Sequence, residues 1–145
     1  MAHQESASLS CAHLDLDTIA WADAADAPKR MALEQSRELI EQFLHDNENW
    51  VIEGCYADLL AIVIPSATKV IFLNPGIETC IANCKNRPWE PHKYASPEAQ
   101  DANLDMLITW IKQYEHRVDE FSLRAHQKLF QNFTGEKDEY KSNMR

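Results

Sequence analysis

The run Trp50-Val51-Ile52-Glu53-Gly54-Cys55-Tyr56 constrains this chain's fold more than any other stretch. Three β-favouring apolar residues in succession, without alternation, predict a strand covered on both faces, as in a parallel α/β sheet. Glu53 stands out in that run. A carboxylate at the carboxyl end of a parallel strand lies where open α/β sheets bind their ligands, and it is suited to hold Mg²⁺ or a nucleophile. The alternative is a Glu53 that turns outward to water. Lys69-Val70-Ile71-Phe72-Leu73 is a second strand of the same kind, closed by the turn Asn74-Pro75-Gly76. Between the two, Ala57 to Ile64 predicts a short helix halted by Pro65. Ile77, Cys80, Ile81 and Cys84 mark a further helix, and strand, helix, strand, helix at these spacings is the pattern of βαβ units. The expected fold class is therefore α/β, a parallel sheet in three layers.

Upstream, Cys11 to Asp17 alternates apolar and polar before Thr18-Ile19-Ala20-Trp21, which predicts a strand ending in an acidic corner. On such a strand Asp15 and Asp17 share a face and meet one ligand or metal; as an alternative they cap a helix or a strand end. Ala22 to Ala27 reads as a small-residue loop. Asp26, with Pro28 two residues on, predicts a helix start, and Leu33, Ser36, Ile40, Phe43 and Leu44 form its apolar stripe, stopping near Asn47.

With 145 residues and 45% hydrophobic content, the chain has material for one core, so residues 1–145 are expected to form one domain. A formal charge of -9 argues against wholesale binding to nucleic acid or an anionic membrane, which needs clustered Lys and Arg. No apolar run approaches the roughly 20 residues of a membrane span, and Met1 to Ser10 is too polar for a signal peptide, so a cytoplasmic protein is expected. Cys11, Cys55, Cys80 and Cys84 form no CxxC pair and read as small buried apolar residues; the alternative, a metal pair at Cys80 and Cys84, has no second pair to complete it.

Residues 85–96 hold the most basic and aromatic segment of an acidic chain, kept out of regular structure by Pro88 and Pro91. Lys85, Arg87, His92 and Lys93 are candidates to converge on a phosphate, with Arg87 suited to bidentate contact; the alternative is a surface loop pinned by Trp89. Ser96-Pro97-Glu98 is a helix start, with Asn103, Met106, Leu107, Trp110, Ile111 and Tyr114 on the buried face. Val118 to Phe121 is expected to be a short last strand. A final helix capped by Ser122 carries Leu123, His126, Phe130 and Phe133 and ends at Gly135, with His126 a satisfied core histidine and residues 136–145 frayed.

Together, His13-Leu14-Asp15-Leu16-Asp17-Thr18-Ile19-Ala20-Trp21, the Trp50–Tyr56 run, Val70-Ile71-Phe72-Leu73 and Arg87-Pro88 resemble the small P-loop kinases of the adenylate, shikimate and gluconate kinase type, above all the bacterial ATPases similar to topology-modulation proteins. The resemblance spans about residues 11 to 140. It implies a three-layer α/β/α fold with sheet order 2-3-1-4-5, and phosphoryl transfer from ATP with Mg²⁺ to a small-molecule acceptor. In its terms Asp15 and Glu53 lie at the metal, and Asp17 holds the acceptor or takes its proton. Trp21, Glu53, Gly54 and Tyr56 complete the acceptor site with Asp15 and Asp17. Arg87 is a lid arginine, with Lys85 and Lys93 beside it on the phosphates, and residues 85–96 form the lid.

The family's first strand and its loop G-x-x-x-x-G-K-[ST] have no counterpart here, since the chain has only Gly54, Gly76 and Gly135. Residue 11 falls at the family's second strand. The expectation is a start assigned too far downstream, and a 145-residue chain that binds ATP weakly or not at all; the alternative is a non-catalytic binding or interaction module. Without its central strand the sheet would have two unpaired edges about 10 Å apart, twice the strand spacing. Such a chain is expected to aggregate, to unfold in part, or to dimerise through those edges.

Overall fold

The computed structural model describes residues 11–22, 29–91 and 94–142. The expected helix start at Asp26 and Pro28, and His92 and Lys93 of the basic segment, lie outside the described residues.

Strand β1 (Ala12–Asp15) runs into a 3₁₀ turn at Leu16–Thr18, followed by the short antiparallel pair β2 (Trp21–Ala22) and β3 (Lys29–Arg30). Helix α1 (Leu33–Asp46) leads to β4 (Trp50–Glu53), then α2 (Ala57–Val63) and β5 (Lys69–Leu73). Helices α3 (Ile77–Lys85), α4 (Pro97–Lys112) and α5 (Leu123–Asn132) precede β6 (Glu136–Tyr140). The architecture is mixed α and β with small parallel sheets. In place of one continuous parallel sheet, the described residues form three two-stranded ones: β1 with β4, β2 with β3, and β5 with β6.

β1 and β4 are parallel, with Leu14 opposite Ile52 and Asp15 opposite Glu53. Because side chains alternate, Leu14 and Ile52 turn to the core while Asp15 and Glu53 turn to the other face. The core consists of Leu16, Ala20, Ile40, Tyr56, Leu59 and Val63. Helix α1 brings Ile40 and Ser36 to it, as the stripe predicts, and the Ser36 hydroxyl donates to the Ile19 carbonyl at 2.9 Å, so its burial leaves no donor unmade.

Three expectations are corrected. The stretch before α1 is not helical at 29–32: the Ala20 carbonyl accepts both the Met31 N–H (2.8 Å) and the Arg30 Nε–H (3.1 Å), which holds β3 extended and delays the helix to Leu33. Val118 to Phe121 is a turn. Asp119 shapes it, its carboxylate accepting from the Phe121 N–H (3.0 Å) and its carbonyl from the Ser122 hydroxyl (2.7 Å). Finally, residues 136–140 are not frayed. They form β6, parallel to β5, where Lys69 pairs with Asp138 at 3.1 Å and Glu136 at 3.6 Å. Opposite charges across the ladder let so polar a segment serve as a strand.

Among the described residues, every fully buried apolar side chain lies between Leu16 and Val63, and α3, α4 and α5 contain none. Leu73 on β5 is 50% exposed. Among the same residues β4 pairs only with β1 and β5 only with β6, so two strands whose sequences suit a sheet interior each keep one edge without a backbone partner.

Gly54 follows β4 directly, and a Cβ built there would lie 2.8 Å from Leu16 Cβ and 2.9 Å from Leu16 Cδ1. Leu16 is fully buried and has no room to yield. Gly54→Ala is therefore expected to cost about 1–3 kcal/mol through overpacking. Urea denaturation checks this; an unchanged midpoint would mean that Leu16 yields.

Candidate functional site

The site lies at the carboxyl ends of β1 and β4. The ladder sets Asp15 opposite Glu53, and Glu53 Oε2 meets His13 Nε2 at 2.7 Å. Beyond Asp15 the strand gives way to the 3₁₀ turn. The reading of Asp15 and Asp17 as neighbours on one strand face is corrected accordingly: Asp15 Oδ1 accepts the Asp17 N–H at 2.9 Å and caps the turn, while Asp17 stands on the turn itself.

Asp17 is joined instead to the loop after β4. The Tyr56 hydroxyl donates to Asp17 Oδ1 through a short hydrogen bond, and the Trp21 Nε1–H donates to the Tyr56 oxygen at 3.0 Å. An indole only donates, so the phenol hydrogen is directed to the carboxylate. Burial, then the bond to Asp17 and its charge, push the Tyr56 phenol well above its ordinary value. Burial and the Asp17 charge likewise push the Cys55 thiol up to about 12, which disfavours its thiolate.

Trp21 packs edge-on to Tyr56 (centroids 6.3 Å), Tyr56 to Phe121 (5.3 Å) and Phe121 to Trp110 (5.3 Å). Trp21 and Trp110, at the ends of this row, are partly exposed. Arg30 lies over Tyr56 at 4.9 Å, and Arg117 over Trp110 at 5.2 Å. The Arg30 fork reaches Asp58 (3.0 Å) and Glu120 (2.9 Å) as well as the Ala20 carbonyl. Arg117 pairs with Asp119 at 3.0 Å, which holds that carboxyl below its usual range.

The structure thus gathers Asp15, Asp17, Trp21, Glu53 and Tyr56 in one corner. Gly54 joins them through its packing on Leu16. Arg87, nearly half exposed, pairs with Glu90 at 3.9 Å, and with Lys85 it lines a cleft of about 30 Å³ between α3 and α4 beside Tyr94, Gln100 and Asp101. Arg30, Asp58 and Glu120 had no signal in the sequence, because they come together across separations of 28 and 90 residues.

For a metal, the donor set is thin. Asp15 and Glu53 face each other in register, yet among the described residues no group of three or more His, Cys, Asp or Glu side chains is placed to hold an ion. Nor do the three glycines make a phosphate cradle. Asp15 and Glu53 offer two carboxylates, and Mg²⁺ is commonly held by one or two carboxylates together with substrate phosphates. The chain matches no protein-family model, no curated protein and no solved structure.

Arg30→Met keeps the apolar stem but leaves Asp58 and Glu120 without their cation. It is expected to cost about 2 kcal/mol. Arg30→Lys should recover only part of this, because a single ammonium cannot reproduce the fork. Thermal melting of the two variants checks both; equal melting of the Arg30→Met and wild-type chains would remove Arg30 as the tie.

Proposed function

We propose that this chain is the acceptor-side part of an ATP-dependent small-molecule phosphotransferase or ATPase of the P-loop kinase type. The observation that carries the reading is the strand pairing: two parallel pairs, β1–β4 and β5–β6, with no ladder between them among the described residues. One strand inserted between β4 and β5 would give β1, β4, inserted strand, β5, β6, the order 2-3-1-4-5 that the resemblance implies. The acidic corner then lies at the carboxyl ends of parallel strands, where such sheets bind ligands.

In this reading Asp17 binds the acceptor hydroxyl, oriented from behind by the Tyr56 O–H, and Trp21 walls the site. Arg87, with one long ion pair to Glu90, is available to turn to a phosphoryl group. Nucleotide and magnesium would be held by a protein carrying the strand and the phosphate loop that these 145 residues lack.

A second reading, a binding or interaction module without catalysis, is favoured by one feature: among the described residues no third metal ligand joins Asp15 and Glu53. The two are separated by extending the chain with the in-frame codons upstream of Met1. If the kinase reading holds, those codons encode a strand and G-x-x-x-x-G-K-[ST]. The extended protein then binds ATP in calorimetry, the 145-residue chain does not, and Asp17→Asn and Arg87→Ala each lower turnover about tenfold or more without lowering the melting temperature. A stop codon directly upstream, or a 145-residue chain as monomeric and stable as the extended one, would select the binding module.

A further inference from the structure

We infer that His126 is a proton-sensitive latch between the β1–β4 half of the molecule and the β5–β6 half. This rests on geometry that is independent of any kinase reading. His126 sits on α5 and is a point where segments from both halves meet. Its Nε2 lies 2.7 Å from the carbonyl oxygen of Cys55, two residues past β4, and its ring meets that of Phe72 on β5 edge-on at 6.3 Å. Its Nδ1 lies 2.7 Å from the hydroxyl of Tyr114, just past α4. No strand ladder joins the halves among the described residues, which leaves this imidazole as a direct hydrogen-bonded link from α5 to the end of β4.

The partners fix the protons. A carbonyl only accepts, so Nε2 carries the hydrogen; Nδ1 is then a lone pair that takes the Tyr114 O–H. Both bonds are complete in the neutral ring. A second proton would go to Nδ1, where it faces the phenol hydrogen, and Tyr114 would have to turn that hydrogen away in half-buried surroundings.

Among the described residues in contact with it, no charge stands ready to stabilise the imidazolium. From the end of β4 the Cys55 carbonyl faces it, from β5 the Phe72 ring, and from beyond α4 the Tyr114 phenol. Cys80 of α3 and Cys55 are the titratable groups felt by Tyr114. All are neutral near pH 7, the thiols and the phenol being raised by burial. Burial holds His126 below its ordinary value, and the Cys55 carbonyl only partly offsets this. The sign follows. The unfolded histidine titrates near pH 6.5, so the latch is at full strength above that pH. It weakens as pH falls below it, since the opened state binds the extra proton more tightly, until the folded histidine titrates as well.

Hydrogen–deuterium exchange on the 145-residue chain at pH 7.5 and pH 5.5, corrected for intrinsic exchange, tests the latch. Amides of residues 55–57, 69–73 and 123–132 should lose protection about threefold or more at the lower pH relative to those of α1. His126→Gln supplies the deciding comparison. Its Nε2 donates to Cys55, its Oε1 accepts from Tyr114, and it does not titrate, so protection should hold at pH 7.5 and the acid loss should disappear. Equal protection of the wild-type chain at both pH values, or an undiminished loss in the glutamine variant, overturns the inference. If the glutamine variant lacks secondary structure by circular dichroism, Tyr114→Phe decides: with Nδ1 freed, the folded ring takes its second proton more easily and the acid loss should shrink, and an undiminished loss counts against the latch.

Discussion

The Arg30 guanidinium holds together three segments that no backbone ladder joins. It donates to the Ala20 carbonyl, to Asp58 on α2 and to Glu120 in the turn before α5, and it lies over the Tyr56 ring. A planar fork with several donors is the side chain that makes these contacts from one position. Its position has consequences for the acidic corner: with Arg30 fixed, the Tyr56 ring is clamped between Arg30, Trp21 and Phe121, and the phenol hydrogen stays on Asp17. The neighbouring backbone bond from the Ala57 N–H to the Glu120 carbonyl at 3.0 Å ties the same turn to the start of α2.

The strands and helices that carry strong local signals were legible in the sequence. Trp50–Glu53 and Lys69–Leu73 form strands as their runs of β-favouring residues predict, although half-buried, and Ser96 and Ser122 cap their helices through Ala99 and Ala125 as their spacing predicts. His126 was legible too, as a histidine with both nitrogens satisfied. What the sequence could not show was decided by distant partners. Lys29–Arg30 is extended because of the Ala20 carbonyl, and Glu136–Tyr140 is a strand because Lys69 meets its acidic face. Asp15 and Asp17 diverge because the strand ends between them, a change of period that a two-residue spacing does not reveal. The chain's allocation of β6 to so charged a segment also leaves its outer edge guarded by Glu and Lys side chains, as suits an edge strand.

The two halves differ in how far their cores are closed. The first, built on β1, β4, α1 and α2, encloses Leu16, Ile40 and Leu59 completely. In the second, α3, α4 and α5 turn apolar residues inward without burying any of them fully, and Met106 and Trp110 remain exposed. Since apolar burial is the main favourable term in folding, the first half is the source of most of the stability, and the second depends on its attachment to it.

One line of that attachment runs through three consecutive residues. Gly54 packs against Leu16, which anchors the loop to the closed core; Cys55 offers its carbonyl to His126, which carries the other half; Tyr56 gives its hydroxyl hydrogen to Asp17. A displacement of the Cys55 carbonyl moves the peptide units on both sides of it, because each backbone plane is rigid and only two torsions separate neighbours. The orientation of Asp17 is therefore mechanically continuous with the position of α5, although they belong to different halves. Any ligand that fixes Asp17 and Tyr56 also fixes the carbonyl that His126 holds, and by linkage whatever strengthens that hydrogen bond favours the same arrangement of the acidic corner.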